Sequence, residues 1–159
     1  MTPRTPCRGH PLARVEGTDV EARYVPGGQH AIVAELAAAL LGSGASSELR
    51  EAIWEELRAG SGVAEVLQAM IVRHAADVSA IPAFAVVSRS ADGAHCAVRG
   101  PLEVRVLTPR GPVEVSGGGV SMWNERIVEG AVAAEIAAVP LRDDGPGLDS
   151  AADVELPLE

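Results

Sequence analysis

The apolar residues of this chain change their spacing once, and that switch limits the folds open to it. Between residues 47 and 76 they recur every three or four positions, the period of a helix face. From Ile81 onward they recur every second position, the period of a half-buried strand. Helices first and strands afterwards, without strand–helix alternation, predict an α+β fold rather than a doubly wound parallel sheet.

The helical part divides in two. A helix is predicted from Ser47 to Ala59, where Leu49, Ile53 and Leu57 share a face with Trp54 beside them. Glu48 and Glu51 in its first turn and Arg58 in its last suit the helix dipole, and Gly60 is a C-terminal stop. Ser61 is placed to cap a second helix over 62–76. Val63, Val66, Leu67, Met70, Ile71 and His74 line one side of that helix, so the pair forms a helical hairpin.

On the N-terminal side, Val20 to Val25 and His30 to Leu36 flank Pro26-Gly27-Gly28, which predicts an N-terminal β-hairpin. The second of these strands could instead run into a short helix at Ala37 to Leu41, since alanine and leucine are good helix formers. On the C-terminal side, short strands are predicted at 83–88, 95–99, 102–107, 113–116, 120–128 and 132–138. Turn residues such as Asp92-Gly93, Gly100-Pro101 and Pro109-Arg110-Gly111 separate several of them. These strands form an antiparallel β-meander or a small sandwich. Three regions follow: a flexible arm over 1–19, a compact domain over 20–139, and an acidic Pro/Gly-rich linker or tail over 140–159.

Composition narrows the chemistry. All 13 basic residues are arginine, so lysine Schiff bases and phosphate-loop lysines are excluded. The net charge of −9 argues against duplex nucleic acid as a partner. More than half of that charge lies in the tail, where six acids face Arg142 alone. No apolar run is long enough to span a bilayer, so no membrane insertion is expected. With two cysteines and no apolar leader after Arg4 and Arg8, a reduced, cytoplasmic setting is expected.

Each candidate site has a simpler structural reading. Cys7, His10, His95 and Cys96 are zinc-type ligands, but adjacent strand residues point to opposite faces, so His95 and Cys96 do not share one ion. Cys96 alternates in phase with Val98 and reads as a core residue. His74 reads as a helix-boundary residue with its polar tip in water. Gly42 to Ser47 has the loop-before-helix context of a dinucleotide loop but lacks the third glycine, and Gly117-Gly118-Gly119 reads as a hairpin loop. Glu48, Glu51, Glu55 and Glu56 read as a solvated helix face, and Asp143-Asp144 as part of the tail. No cofactor and no catalytic or metal residue is assigned. Trp54, Arg99, Trp123 and Arg126 remain as a candidate interaction surface, because tryptophan and arginine are typical interface anchors.

Several local patterns also occur in a fixed order. They are Tyr24-Val-Pro-Gly-Gly28, Ala52-Ile-Trp-Glu-Glu-Leu-Arg-Ala-Gly60, Val63-Ala-Glu-Val-Leu67, Ile81-Pro-Ala-Phe-Ala-Val-Val87, Ala97-Val-Arg-Gly100 and Met122-Trp-Asn-Glu-Arg-Ile-Val-Glu129. Together, over about 20–138, they resemble the N-terminal accessory region of actinobacterial forkhead-associated (FHA) domain proteins. The FHA domain itself is absent, because its Gly-Arg and Ser-x-x-His pattern does not occur here. Phosphothreonine binding is therefore carried over to no residue of this chain. The resemblance implies a non-enzymatic accessory module of a signalling protein, acting through a protein partner or self-association. The alternative is a small-molecule-sensing or enzymatic domain whose pocket gathers His74, His95 and Glu125.

Overall fold

The computed structural model describes residues 13–16 and 28–139. The elements run β1 (Ala13–Glu16), β2 (His30–Val33), β3 (Ala37–Leu41), α1 (Ser47–Arg58) and α2 (Val63–Arg73). A 3₁₀ turn (Val78–Ala80) follows, then β4 (Phe84–Ser90), β5 (Gly93–Arg99), β6 (Leu102–Thr108), β7 (Gly111–Ser116), β8 (Asn124–Glu129) and β9 (Ala133–Ala138). The strands form a five-stranded sheet in the order β2-β3-β4-β5-β8 and a four-stranded sheet in the order β1-β9-β6-β7. Every pairing is antiparallel.

Two cores result, one on each face of the five-stranded sheet. Alternate residues of β3 show this directly. Ala37, Ala39 and Leu41 face the helices, whereas Ala38 and Leu40 face the four-stranded sheet. The helix-side core adds Leu49, Ile53, Val63, Met70, Phe84 and Val86. The inter-sheet core adds Ala85, Val87, Cys96, Val98, Val104 and Ile136. The order of layers is therefore helices, five-stranded sheet, four-stranded sheet.

The helices match their apolar periods. Leu49, Ile53 and Leu57 are buried on α1, and Val63, Val66, Leu67 and Met70 on α2. The Ser46 hydroxyl accepts the Leu49 N–H at 3.2 Å and caps α1, and Gly60 has φ +80°, a left-handed stop. The expected Ser61 cap is corrected. Gly62 is the N-cap of α2 and provides no side-chain hydrogen bond.

The strand readings need three corrections. Ala37–Leu41 is a strand, not a helix, because both of its faces are covered and β2 and β4 pair with its two edges. Burial on both faces overrides helix propensity. Among the described residues β2 forms a hairpin with β3, closed by the Ala34 N–H to the Ala37 carbonyl at 2.8 Å. The expected strand over 20–25 lies outside the described residues. Ala13–Glu16, read as part of a flexible arm, pairs with β9. Of the two forms expected for the C-terminal strands, the sandwich is the one observed. β4 with β5 and β6 with β7 are hairpins, but β8 returns to β5 and β9 to β6. Gly117-Gly118-Gly119 therefore belongs to a crossover between sheets rather than to a hairpin.

Candidate functional site

The helices do not cover the whole five-stranded sheet. α1 contacts β2 and β3, and α2 contacts β4 and β5. β8 lies beyond α2 as the edge strand. The helix-side face of β8 and the adjoining part of β5 carry a connected side-chain network.

Arg99, at the end of β5, organises it. Its Nε donates to the Ile81 carbonyl at 3.1 Å. Its Nη1 donates to the Ser121 carbonyl at 3.2 Å and also to the Met122 carbonyl. One guanidinium thus ties the end of β5 to the loop that enters β8. Two glycines allow that approach. Gly100 has φ +79°, and a Cβ there would sit 2.7 Å from the Ala83 Cβ. Gly117 is packed so that a Cβ would lie 2.7 Å from both the Arg99 carbonyl carbon and the Gly100 oxygen.

The loop delivers Trp123. Its ring lies 6.3 Å from that of Phe84 at 53°, a tilted aromatic pair that anchors the indole to the helix-side core. The indole N–H donates to Glu125 Oε2 at 3.4 Å. Glu125 Oε1 lies 2.7 Å from His95 Nε2. A carboxylate only accepts hydrogen bonds, so the imidazole carries a proton on Nε2 in this pair. The side chains of His95 and Glu125 are 21% and 44% exposed, so water reaches both.

A histidine–carboxylate pair can orient a general base, but that chemistry needs a nucleophile or substrate in reach. The neighbouring thiol is not one. Cys96 points into the inter-sheet core, fully buried, and burial pushes its thiol up to about 12. The expected opposition of His95 and Cys96 is therefore observed. Among the described residues, no three His, Cys, Asp or Glu side chains converge as metal ligands. Cys7 and His10 lie outside the described residues.

The four tryptophans and arginines singled out from sequence do not form one surface. Arg99 and Trp123 belong to the network just described. Arg126 is on β8, but it is paired with Cys96 in register and so projects from the opposite face to Glu125. Trp54 is 43% exposed on α1. It lines an open groove of about 530 Å³ beside β2, the other edge of the same sheet. There Arg50 Nη1 donates to His30 Nδ1 at 3.4 Å.

The polar trio His74, His95 and Glu125 is also divided. His74 closes α2, its Nδ1–H donating to the Met70 carbonyl at 2.8 Å. A separate cavity of about 190 Å³ lies at the end of the sandwich, lined by Leu36, Val87, Arg89, Ala94, Val132 and Ala134 among others. None of the trio lines it. Sequence reasoning did not single out His95 with Glu125 as a bonded pair, nor Phe84 as the support of Trp123. The signal for the first is register, which places Ala97 opposite Glu125 and His95 two residues further along the same face.

No protein-family model, curated protein or solved structure matches this chain. Among the described residues, no helix is long and apolar enough to cross a membrane.

Proposed function

We propose that this chain is a non-catalytic protein-interaction or assembly module that docks through the β8 border of its five-stranded sheet. One observation carries the reading. A single stretch of eight residues leaves Val120, Met122 and Ile127 exposed at 40%, 45% and 60%, beside an open sheet edge. Large apolar side chains exposed together beside an anchored tryptophan are typical of a docking surface. The Arg99 clamp holds the loop that presents Val120 and Met122, which lowers the entropy cost of binding.

The proposal extends to context. The ordered sequence patterns that resemble the accessory region of FHA proteins support a place in a bacterial phosphothreonine-signalling assembly, in the cytoplasm.

The test compares the unmodified chain with a Met122→Ser/Ile127→Ser variant as baits in the source cells, alongside light scattering of each. A partner or a self-associated species that is held by the first and lost by the second is expected. Equal retention by both, or no partner together with a monomer at all concentrations, overturns the proposal.

A further inference from the structure

We infer that β8 receives an extended segment of another protein whose alternate residues are basic, apolar and basic, adding a sixth strand to the five-stranded sheet. The inference rests on the interaction reading above and specifies its partner.

The edge itself comes first. Among the described residues, the backbone of β8 pairs with β5 alone. The outer N–H and C=O groups of an edge strand are a template for another chain, and proteins usually blunt such edges. β7, the edge nearest β8 in the other sheet, carries Pro112 and cannot donate there. β1 and β2 are four residues each. β8 is six residues long with no proline, and its most exposed apolar side chain is Ile127, at 60%.

The side chains then select the partner. Ala97 belongs to the helix-side core and pairs with Glu125, so Glu125, Ile127 and Glu129 share that face of β8. Among the described residues, the helices pack chiefly on β2 to β5. The face reads acid, apolar, acid. Residues directly opposite on an added strand project from the same face, and opposite charges there are favourable. The matching strand therefore presents a basic residue to Glu125, a β-branched residue to Ile127 and a basic residue to Glu129. Glu125 keeps 44% of its side chain exposed although it bonds His95, so it remains accessible to a second cation.

The same charges disfavour the two self-pairings centred on the middle of β8. Antiparallel self-pairing centred on Ile127 sets Glu125 against Glu129 twice. Centring on Arg126 sets that arginine against itself. Like charges directly opposite one another are destabilising.

The experiment uses the full chain, isotopically labelled for NMR. It is titrated to millimolar concentration with a peptide containing Lys-Thr-Val-Thr-Lys and, separately, with its Glu-Thr-Val-Thr-Glu counterpart. The basic peptide is expected to shift the amides of residues 124–129, and the acidic one to bind about tenfold more weakly or not at all. Glu125→Gln/Glu129→Gln should weaken the basic peptide about threefold to tenfold and flatten its salt dependence. Ile127→Lys should weaken it at least about tenfold, with the melting temperature moved by no more than about 2 °C. Equal affinity for both peptides, shifts that avoid β8, or β8 shifts that follow dilution of the protein alone each overturn the inference. If the peptides fail while Met122→Ser/Ile127→Ser still releases the cellular partner, strand addition is wrong and the interaction reading stands. If that variant releases nothing, the interaction reading fails independently.

Discussion

The helix-side face of the five-stranded sheet has two unlike halves. Over β3 and β4 it is sealed, with Leu41, Phe84 and Val86 inaccessible beneath α1 and α2. Over β8 it is open, with Glu125, Ile127 and Glu129 in contact with water. The sheet is continuous across the boundary, since β5 pairs with both β4 and β8. What separates the halves is the extent of the helical layer. The sealed half provides stability through buried apolar area, and the open half leaves apolar and charged groups in contact with water.

Variants that ask each half for the opposite behaviour can break this contrast. The largest effect is expected at Cys96, beneath the sealed region on the inter-sheet face. In a Cys7→Ser background its native labelling by a thiol reagent should be at least about a thousandfold slower than in denaturant, because reaction requires opening of a central strand. Its thiol is raised from an ordinary value near 9.0 to about 12. The folded state therefore holds that proton more tightly than the unfolded chain, and stability falls as pH rises from 9.0 toward about 12. Rapid native labelling at neutral pH would show that the two sheets do not seal.

Phe84→Ala comes next. It removes a fully buried ring and the support of Trp123, and should cost about 3–5 kcal/mol in denaturant unfolding. A loss under 1 kcal/mol would mean that the helix layer is loosely packed. Arg99→Ala sits on the boundary between the halves. Losing its bonds to three backbone carbonyls should cost about 1–2 kcal/mol. It should also shift the Trp123 emission to longer wavelength when Trp54 is replaced by Phe. Unchanged emission would mean that Arg99 does not position the loop.

The smallest effect belongs to the open half. Ile127→Ser should change stability by less than about 0.5 kcal/mol, since this side chain is already mostly in water. A cost comparable to that of Phe84→Ala would show that β8 is covered, and the contrast would fail.

Particular elements show how far the fold was legible in sequence. The four-residue spacing of Leu49, Ile53 and Leu57 and the apolar face of α2 were sufficient to place both helices, because one covered face repeats with the helical turn. Leu102, Val104 and Val106 placed β6 and its buried face in the same way. Ala37–Leu41 was ambiguous, because a strand covered on both faces loses its alternation. Ala13–Glu16 was missed, since four residues set no period and their strand exists through pairing with β9. At the candidate site, Trp123 and Arg99 were legible by type. Their separation from Trp54 and the pairing of His95 with Glu125 were not.

By itself the sequence determined the two helices, most of the extended stretches after them, and which residues of each turn inward. It also excluded lysine chemistry. Only the tertiary structure decided that β8 joins β5 and β9 joins β6, that the strands divide into two sheets, and that β8 lies beyond the helices. The reason is physical. Period reports which face of an element is buried, a property of each element alone. Strand partners and open edges are set by contacts between residues distant in the chain, such as Glu125 with His95, which no local spacing encodes.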